Sequence, residues 1–297
     1  MSYRIIVCIK QVPALGEVRI DPDTHNLVRE SVPSVLNPFD EFAIEEAVRI
    51  RERFGGIVTA ITMGPPQAES ALKTAVQMGA DLGFLLTDRR LAGSDTLITA
   101  LALSFIINPM EFDLVICGLE TTDSSTAQVG PELAEKLNLF HVTYVSRLEF
   151  DHDKRHVSVT RETDSGYQVM RSRLPLLVTL VKGINVPREP DTQVSVKDRI
   201  KHVSLDDLSI SIPNFSADLS PTQVVKIERA KTRNRAQFVI DSRLSARDRI
   251  RMIMQGGMEQ KSAAVMLDED IDGMLKKLGD FILQNIGGNG SGDEDKN

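Results

Sequence analysis

Residues 115–137 read VICGLETTDSSTAQVGPELAEKL. An apolar run ends at Gly118, a polar stretch follows, and a helical pattern resumes near Ala127. Of the six residues from Thr121 to Thr126, five carry hydroxyls and the sixth is Asp123. A plain strand-to-helix connection needs one capping residue. Six polar groups between a buried strand and a helix are suited to holding something. Strand, loop and helix in that order also make half of a βαβ unit, and the chain before it repeats the pattern.

Working outward, Arg4–Ile9 is a short β-rich run, and EVRIDPDTHNLVRE (17–30) reads as a hairpin or long extended loop. In NPFDEFAIEEAVRIRERFGG, Asn37 is a good N-cap, Pro38 suits the first helical position and Asp40 completes a capping box. Phe42, Ile44, Ala47, Val48 and Ile50 form the helix stripe that Gly55 and Gly56 end. IVTAITMG (57–64) is a strand, 65–79 a helix entered through proline, LGFLLTD (82–88) a third strand, and about 95–107 a helix. DLVICG (113–118) then feeds the opening loop. Strands alternating with helices of this length predict an α/β fold with a doubly wound, mostly parallel sheet. HVTYVSRLEF, RHVSVTRE and GYQVMRSR alternate with tight polar turns and predict an antiparallel extension. PLLVTLV (175–181) is nearly all apolar and returns to the sheet.

The expected organisation is an α/β domain over 1–184, an extended arm with C-terminal helices laid over a neighbouring subunit over 185–286, and a disordered tail over 287–297. VPREPDTQVSVKDRIKHVSLDDL has few core-forming runs. Amphipathic helices are expected around 245–255 and 268–286; in the second, Ile271, Met274, Leu275, Leu278, Phe281 and Ile282 share a face.

Composition excludes several classes of function. The 297 residues are 41% hydrophobic and 26% charged, as in a soluble globular protein, and no apolar run approaches a membrane span of about 20 residues. A net charge of −7 disfavours phosphate-backbone binding, and 5% aromatics without tryptophan disfavours a stacking platform, so no nucleic-acid partner is expected. The N-terminus MSYRIIVCIKQV enters a strand directly, without the regions of a signal peptide. Cys8 and Cys117 each end an apolar run, with no CxxC spacing. They read as core filler in a reducing, cytoplasmic compartment.

In an open parallel sheet, ligands bind beyond the carboxyl ends of the strands, where strand order reverses. Four segments converge there: Cys8–Gln11, Asn37–Asp40, Met63–Pro66 and Thr121–Glu132. Helix N-termini offer free N–H groups and partial positive charge to a phosphate. Asp123 suits a ribose hydroxyl. Self-satisfied turns of this composition are also common. No GxGxxG follows the first strand and no GxxxxGK[ST] occurs, which removes the dinucleotide fingerprint and P-loop chemistry.

VCIKQVP (7–13), NPFDEFAIEEAVRI (37–50), TMGPPQAESALKTAVQMGAD (62–81), AGSDTL (92–97), TAQVGPELAEKL (126–137) and RLPLLVTLVKGINVPREP (173–190) together resemble the beta subunit of an electron-transferring flavoprotein. The resemblance implies a sheet of the adenine-nucleotide-binding type and a heterodimer with an alpha subunit that carries a redox-active FAD. It implies an adenine nucleotide in this chain, either AMP as a structural ligand or a second FAD that splits electrons between two acceptors. The implied contacts are Cys8, the Asn37, Pro38, Phe39 and Asp40 turn, Met63, and the loop Thr121, Thr122, Asp123, Ser124, Ser125, Thr126, Ala127, Gln128, Val129, Gly130, Pro131 and Glu132. No side chain is expected to be catalytic and none to bind metal. A dehydrogenase, as for acyl-CoA, and a downstream oxidoreductase are the implied partners. QVP and TAQVGP resemble the electron-splitting group, whereas DSST (123–126) stands where that group has Asp-Gly-Asp-Thr. The family's apolar docking residue for partner dehydrogenases corresponds to Thr192.

The rival reading is a stand-alone adenine-nucleotide-binding protein or an ATP pyrophosphatase-like hydrolase on the same fold. Ser94 and Asp95 in AGSDTL are its only support, and the paired glycines of that loop are missing. His152 and His156 fall in a hairpin turn, and the basic run 226–235 and the acids Asp268, Glu269, Asp270 and Asp272 read as solvated surface.

Overall fold

The computed structural model of the chain describes residues 2–14, 33–151, 155–222 and 245. The expected hairpin over 17–30, the C-terminal helices and tail, His152, the basic run 226–235 and the acids near 270 lie outside the described residues. The described residues other than Ser245 fall within a compact unit that extends to Arg229.

The chain runs β1 (Tyr3–Cys8), β2 (Gln11–Pro13), β3 (Ser34–Leu36), α1 (Pro38–Phe54), β4 (Gly56–Met63), α2 (Glu69–Gln77), β5 (Leu82–Leu86), α3 (Thr96–Ile107), β6 (Leu114–Gly118) and α4 (Val129–Lys136). Then follow β7 (Phe140–Phe150), β8 (His156–Thr163), β9 (Gly166–Arg173), β10 (Leu176–Leu180) and β11 (Ile200–Val203). Nine strands form one sheet in the order β11-β5-β4-β1-β6-β10-β7-β8-β9. The pairings from β11 to β7 are parallel, and β8 and β9 extend the sheet antiparallel. This is the doubly wound sheet with an antiparallel extension that the alternation of sequence patterns predicts.

The centre of the sheet is apolar on both faces because helices cover both. Ile5, Val7, Val58 and Ala60 pack with Ala43, Ala47, Ala71 and Leu72 of α1 and α2. Ile6, Ile61, Val115 and Leu177 pack with Ala100, Leu103, Leu133 and Ala134 of α3 and α4. Strand β10 is buried throughout, as a doubly covered strand must be, whereas β9 is mostly exposed. Strand order reverses at β1: β4, β5 and β11 lie to one side, and β6 and β10 to the other.

Packing on the sheet continues past residue 184. Arg188 meets Glu45 (2.7 Å) and Glu52 (2.7 Å) on α1. Ile200–Val203 then forms β11, parallel to β5 at the sheet edge. Leu205 and Phe215 bury beside α3, with the Phe215 ring edge-on to Phe105 at 5.2 Å. The polar spacing of this stretch conceals an edge strand, which needs few apolar residues because only part of it is covered.

Candidate functional site

The reversal of strand order places the carboxyl ends of β1 and β6 side by side, with Cys8 and Cys117 as register partners. Around them the first helix makes the principal joint. Asn37, completely buried, takes the N-cap position but makes no side-chain cap. Its amide instead donates to Glu120 O (2.9 Å), its Oδ1 accepts from Thr122 N (3.3 Å), and its backbone N–H donates to Lys10 O (2.9 Å). The expected capping box does not form, because the Asp40 carboxylate turns to accept the Lys10 N–H at 2.7 Å. One residue therefore fastens the end of β1, the start of α1 and the loop after β6.

Asp40 is buried in this joint. Burial pushes its carboxyl up to about 7, against the pull of bonds from Lys10, Asn37 and the Gly118 N–H. The absence of a side chain at Gly118 lets α1 approach so closely. Phe39, on the rim, lies under the Lys182 ammonium at 4.3 Å. Pro38 begins the helix as expected.

The loop after β6 is partly self-satisfied. Thr121 Oγ1 bonds Ser124 Oγ (2.8 Å), Ser125 Oγ donates to Thr121 O (3.0 Å), and Ser125 N donates to the same carbonyl (2.8 Å). Asp123 accepts from Lys10 Nζ at 2.7 and 2.9 Å and from the Ser124 hydroxyl at 3.2 Å. Burial opposes ionisation of Asp123, but Lys10, Thr121 and Ser124 together hold it below the ordinary carboxylate value. Among the described residues, the Thr122 and Thr126 hydroxyls are left without a protein partner. Ser125 (φ 48°) and Ala127 (φ 54°) both adopt the left-handed conformation. At an alanine that conformation costs about 1–2 kcal/mol, and such strain gathers at ligand sites. It also delays the helix, which begins at Val129 rather than Ala127.

The first turn of α4 holds Val129, Gly130, Pro131 and Glu132. A Cβ on Gly130 would lie 2.6 Å from Thr179 Cγ2, so glycine seats this helix on β10. Thr96 Oγ1 donates to Gln128 Oε1 (3.2 Å) and Glu132 Oε1 (3.1 Å), whereas Glu132 Oε2 is buried without a partner. The Thr62 and Thr179 hydroxyls, at the carboxyl ends of β4 and β10, are likewise buried and unpartnered.

Three of the four expected segments are thus joined directly. The fourth is less closely tied: Met63 ends β4, and the neighbouring Gln67 carbonyl and Ser70 hydroxyl meet the Gln11 amide at 2.9 and 2.6 Å. Lys10 lies within the expected segment Cys8–Gln11, although its bonds to Asp123 were not foreseen, and Gly118 and Thr179 were not among the expected contacts. Thr179 had a legible signal, as the one hydroxyl in the otherwise apolar PLLVTLV. The Asp95 carboxylate is occupied by the Ile98 N–H, the Thr222 N–H and the Thr222 hydroxyl (2.9 Å), so it serves as a helix cap and tether.

A family model described as "ETF: Electron transfer flavoprotein domain" matches residues 24–208. The chain belongs to the electron transfer flavoprotein beta-subunit family. It is 48% identical over 225 residues to an electron transfer flavoprotein subunit beta of Thermoanaerobacterium thermosaccharolyticum, covering 74% of this chain and 86% of the relative. The subunit beta of Clostridium acetobutylicum is 40% identical over 238 residues, covering 79% and 91%. The protein FixA of Azotobacter vinelandii is 39% identical over 251 residues, covering 80% and 88%. Electron transfer in association with a flavin and an alpha-subunit partner is the role that this membership carries. Among the described residues no helix is long and apolar enough to cross a membrane.

Proposed function

We propose that this chain is the beta subunit of a heterodimeric electron transfer flavoprotein and binds an adenine nucleotide where β1 and β6 diverge. The alpha subunit carries one FAD, and the nucleotide of this chain is AMP or a second FAD. The heterodimer passes electrons from a dehydrogenase to a downstream oxidoreductase, and with FAD in both subunits it divides them between two acceptors.

The observation that supports this reading best is the Asn37 joint. It fixes a strained loop at the reversal of strand order while the Thr122 and Thr126 hydroxyls remain unspent. Those hydroxyls and the first turn of α4 suit phosphate oxygens. Glu132 Oε2 suits a donor, as a ribose hydroxyl is, because a buried carboxylate oxygen needs one. Asp123 is engaged by Lys10, and its part is to hold the loop against the end of β1. The residues present therefore fit an adenylate.

When a flavin is bound, it supplies the redox chemistry. This chain's residues position it: Asn37 and Asp40 fix the entrance, Lys10 and Asp123 hold the loop, and the Gly130 contact fixes the angle of α4. No side chain of this chain makes or breaks a bond in that electron transfer.

Co-expression with the alpha subunit, followed by denaturation and chromatography of the released nucleotides, tests the proposal. One adenine nucleotide per heterodimer beyond the alpha subunit's FAD is expected. Two FAD select the electron-dividing form, and FAD plus AMP selects the structural one. A single FAD with no second nucleotide overturns the assignment.

A further inference from the structure

Two buried thiols lie at the carboxyl ends of β1 and β6 with no chemical part yet assigned to their sulfurs. Cys8 and Cys117 are the only cysteines of the chain, and they stand opposite each other in register at the carboxyl ends of β1 and β6. Register partners on neighbouring parallel strands point to the same face, and both thiols pack in one apolar cluster under α3 and α4. Both are free and buried, at 8% and 6% exposure. Adjacent strands lie about 4.8 Å apart, within the usual window of about 4.4–6.8 Å between the Cα atoms of a disulfide. Thr179 extends the row as the register partner of Cys117 on β10. The sequence, where the two thiols lie more than a hundred residues apart, gives no hint of this pairing.

We infer that Cys8 and Cys117 form a reversible cross-strand disulfide between the carboxyl ends of β1 and β6, and that a bound adenine nucleotide shields them from oxidation. The shielding clause rests on the nucleotide reading above, whereas the disulfide itself rests on register and burial alone.

The oxidant is a low-molecular-weight disulfide such as oxidised glutathione. The sulfur of Cys8 attacks it, one glutathione leaves as a thiol, and a mixed disulfide remains on Cys8. Cys117 then attacks the Cys8 sulfur, the second glutathione departs with the Cys117 proton, and the intramolecular S–S bond is complete. Two protein thiols are oxidised and one small disulfide is reduced to two thiols. The neighbouring Cys8 thiol, then burial, then the Asp40 carboxylate keep the Cys117 thiol above its ordinary value. The same two steps starting at Cys117 give the same product. Joining β1 to β6 within the same layer alters the spacing of the two strand ends from which the Lys10 and Glu120 contacts to Asn37 depart.

The test uses the full chain co-purified with its alpha subunit, stripped of nucleotide and equilibrated with oxidised glutathione. The sample is quenched with iodoacetamide and digested with trypsin without reduction. The expected product is Ile5–Lys10 joined to Leu91–Lys136, lighter by two hydrogens than the separate peptides and released by dithiothreitol. Saturating AMP or FAD is expected to slow its formation several-fold. Cysteines recovered only as alkylated or singly glutathionylated peptides overturn the disulfide. A cross-link that forms at one rate with and without nucleotide upholds the disulfide, overturns the shielding, and counts against the nucleotide's place at these strand ends.

Discussion

A Cβ on Gly118 would lie 2.3 Å from Asp40 Oδ1 and 2.9 Å from Phe39 Cβ. The start of α1 rests on the bare backbone at the end of β6. Asp40 has little room to turn away, because its other oxygen accepts the Lys10 N–H. Gly118→Ala should therefore lift the helix start and cost about 1–3 kcal/mol, the usual range for overpacking. Urea denaturation of the purified chain measures it. A midpoint equal to that of the unchanged chain would mean that the contact is easily relaxed.

Asn37→Ala should cost a similar amount for a different reason. It leaves the Glu120 carbonyl and the Thr122 N–H without their partner inside a buried joint. Each stranded polar group costs about 1–3 kcal/mol unless water reaches it. The loop after β6 should also loosen, so hydrogen exchange at Thr122–Thr126 is expected to accelerate at least tenfold. Unchanged exchange would show that the loop holds its shape through the Lys10–Asp123 pair and its internal Thr121, Ser124 and Ser125 bonds.

These two positions show what was legible in the sequence. The periodic stretches announced their elements, because a doubly covered parallel strand must be apolar throughout and IVTAITM and PLLVTLV are nearly so. Asn37 and Asp40 were legible as a helix start but not in their roles. A capping box and a cross-chain joint use the same residue types, and only the position of Lys10 and Glu120 in space separates them. Gly118 carries no pattern, since its role depends on what approaches it. The edge strand Ile200–Val203 was hidden for a related reason: one neighbour and partial burial permit Lys201 and His202, which blur the alternation.

The titration of Asp40 sets a slope in the stability of the chain. Its carboxyl is raised from 3.8 to about 7 in the folded protein, chiefly by burial. Between those values the folded chain keeps a proton that the unfolded chain has lost. Unfolding then releases a proton, so this group's contribution is fully present below about pH 4 and is lost as pH rises to about 7. In Asp40→Asn that decline should disappear, whatever the absolute stability of the variant. Urea midpoints from pH 4 to 8 for both chains check it, and parallel curves would contradict the raised value.

Thr179→Val should act in the opposite direction from the first two substitutions. The Thr179 hydroxyl is buried on β10 with no hydrogen-bond partner, and its Cγ2 is the atom against which Gly130 packs. Valine keeps the branched shape and that contact while removing an uncompensated hydroxyl. Burying such a group costs about 1–3 kcal/mol by mutational measures, so the variant should be more stable, by up to about 1 kcal/mol once imperfect replacement is allowed for. Thermal melting of the nucleotide-free chain is the appropriate measurement. A lower midpoint would mean that the hydroxyl has a partner in solution, and a higher midpoint accompanied by weaker AMP or FAD retention would make that partner the ligand.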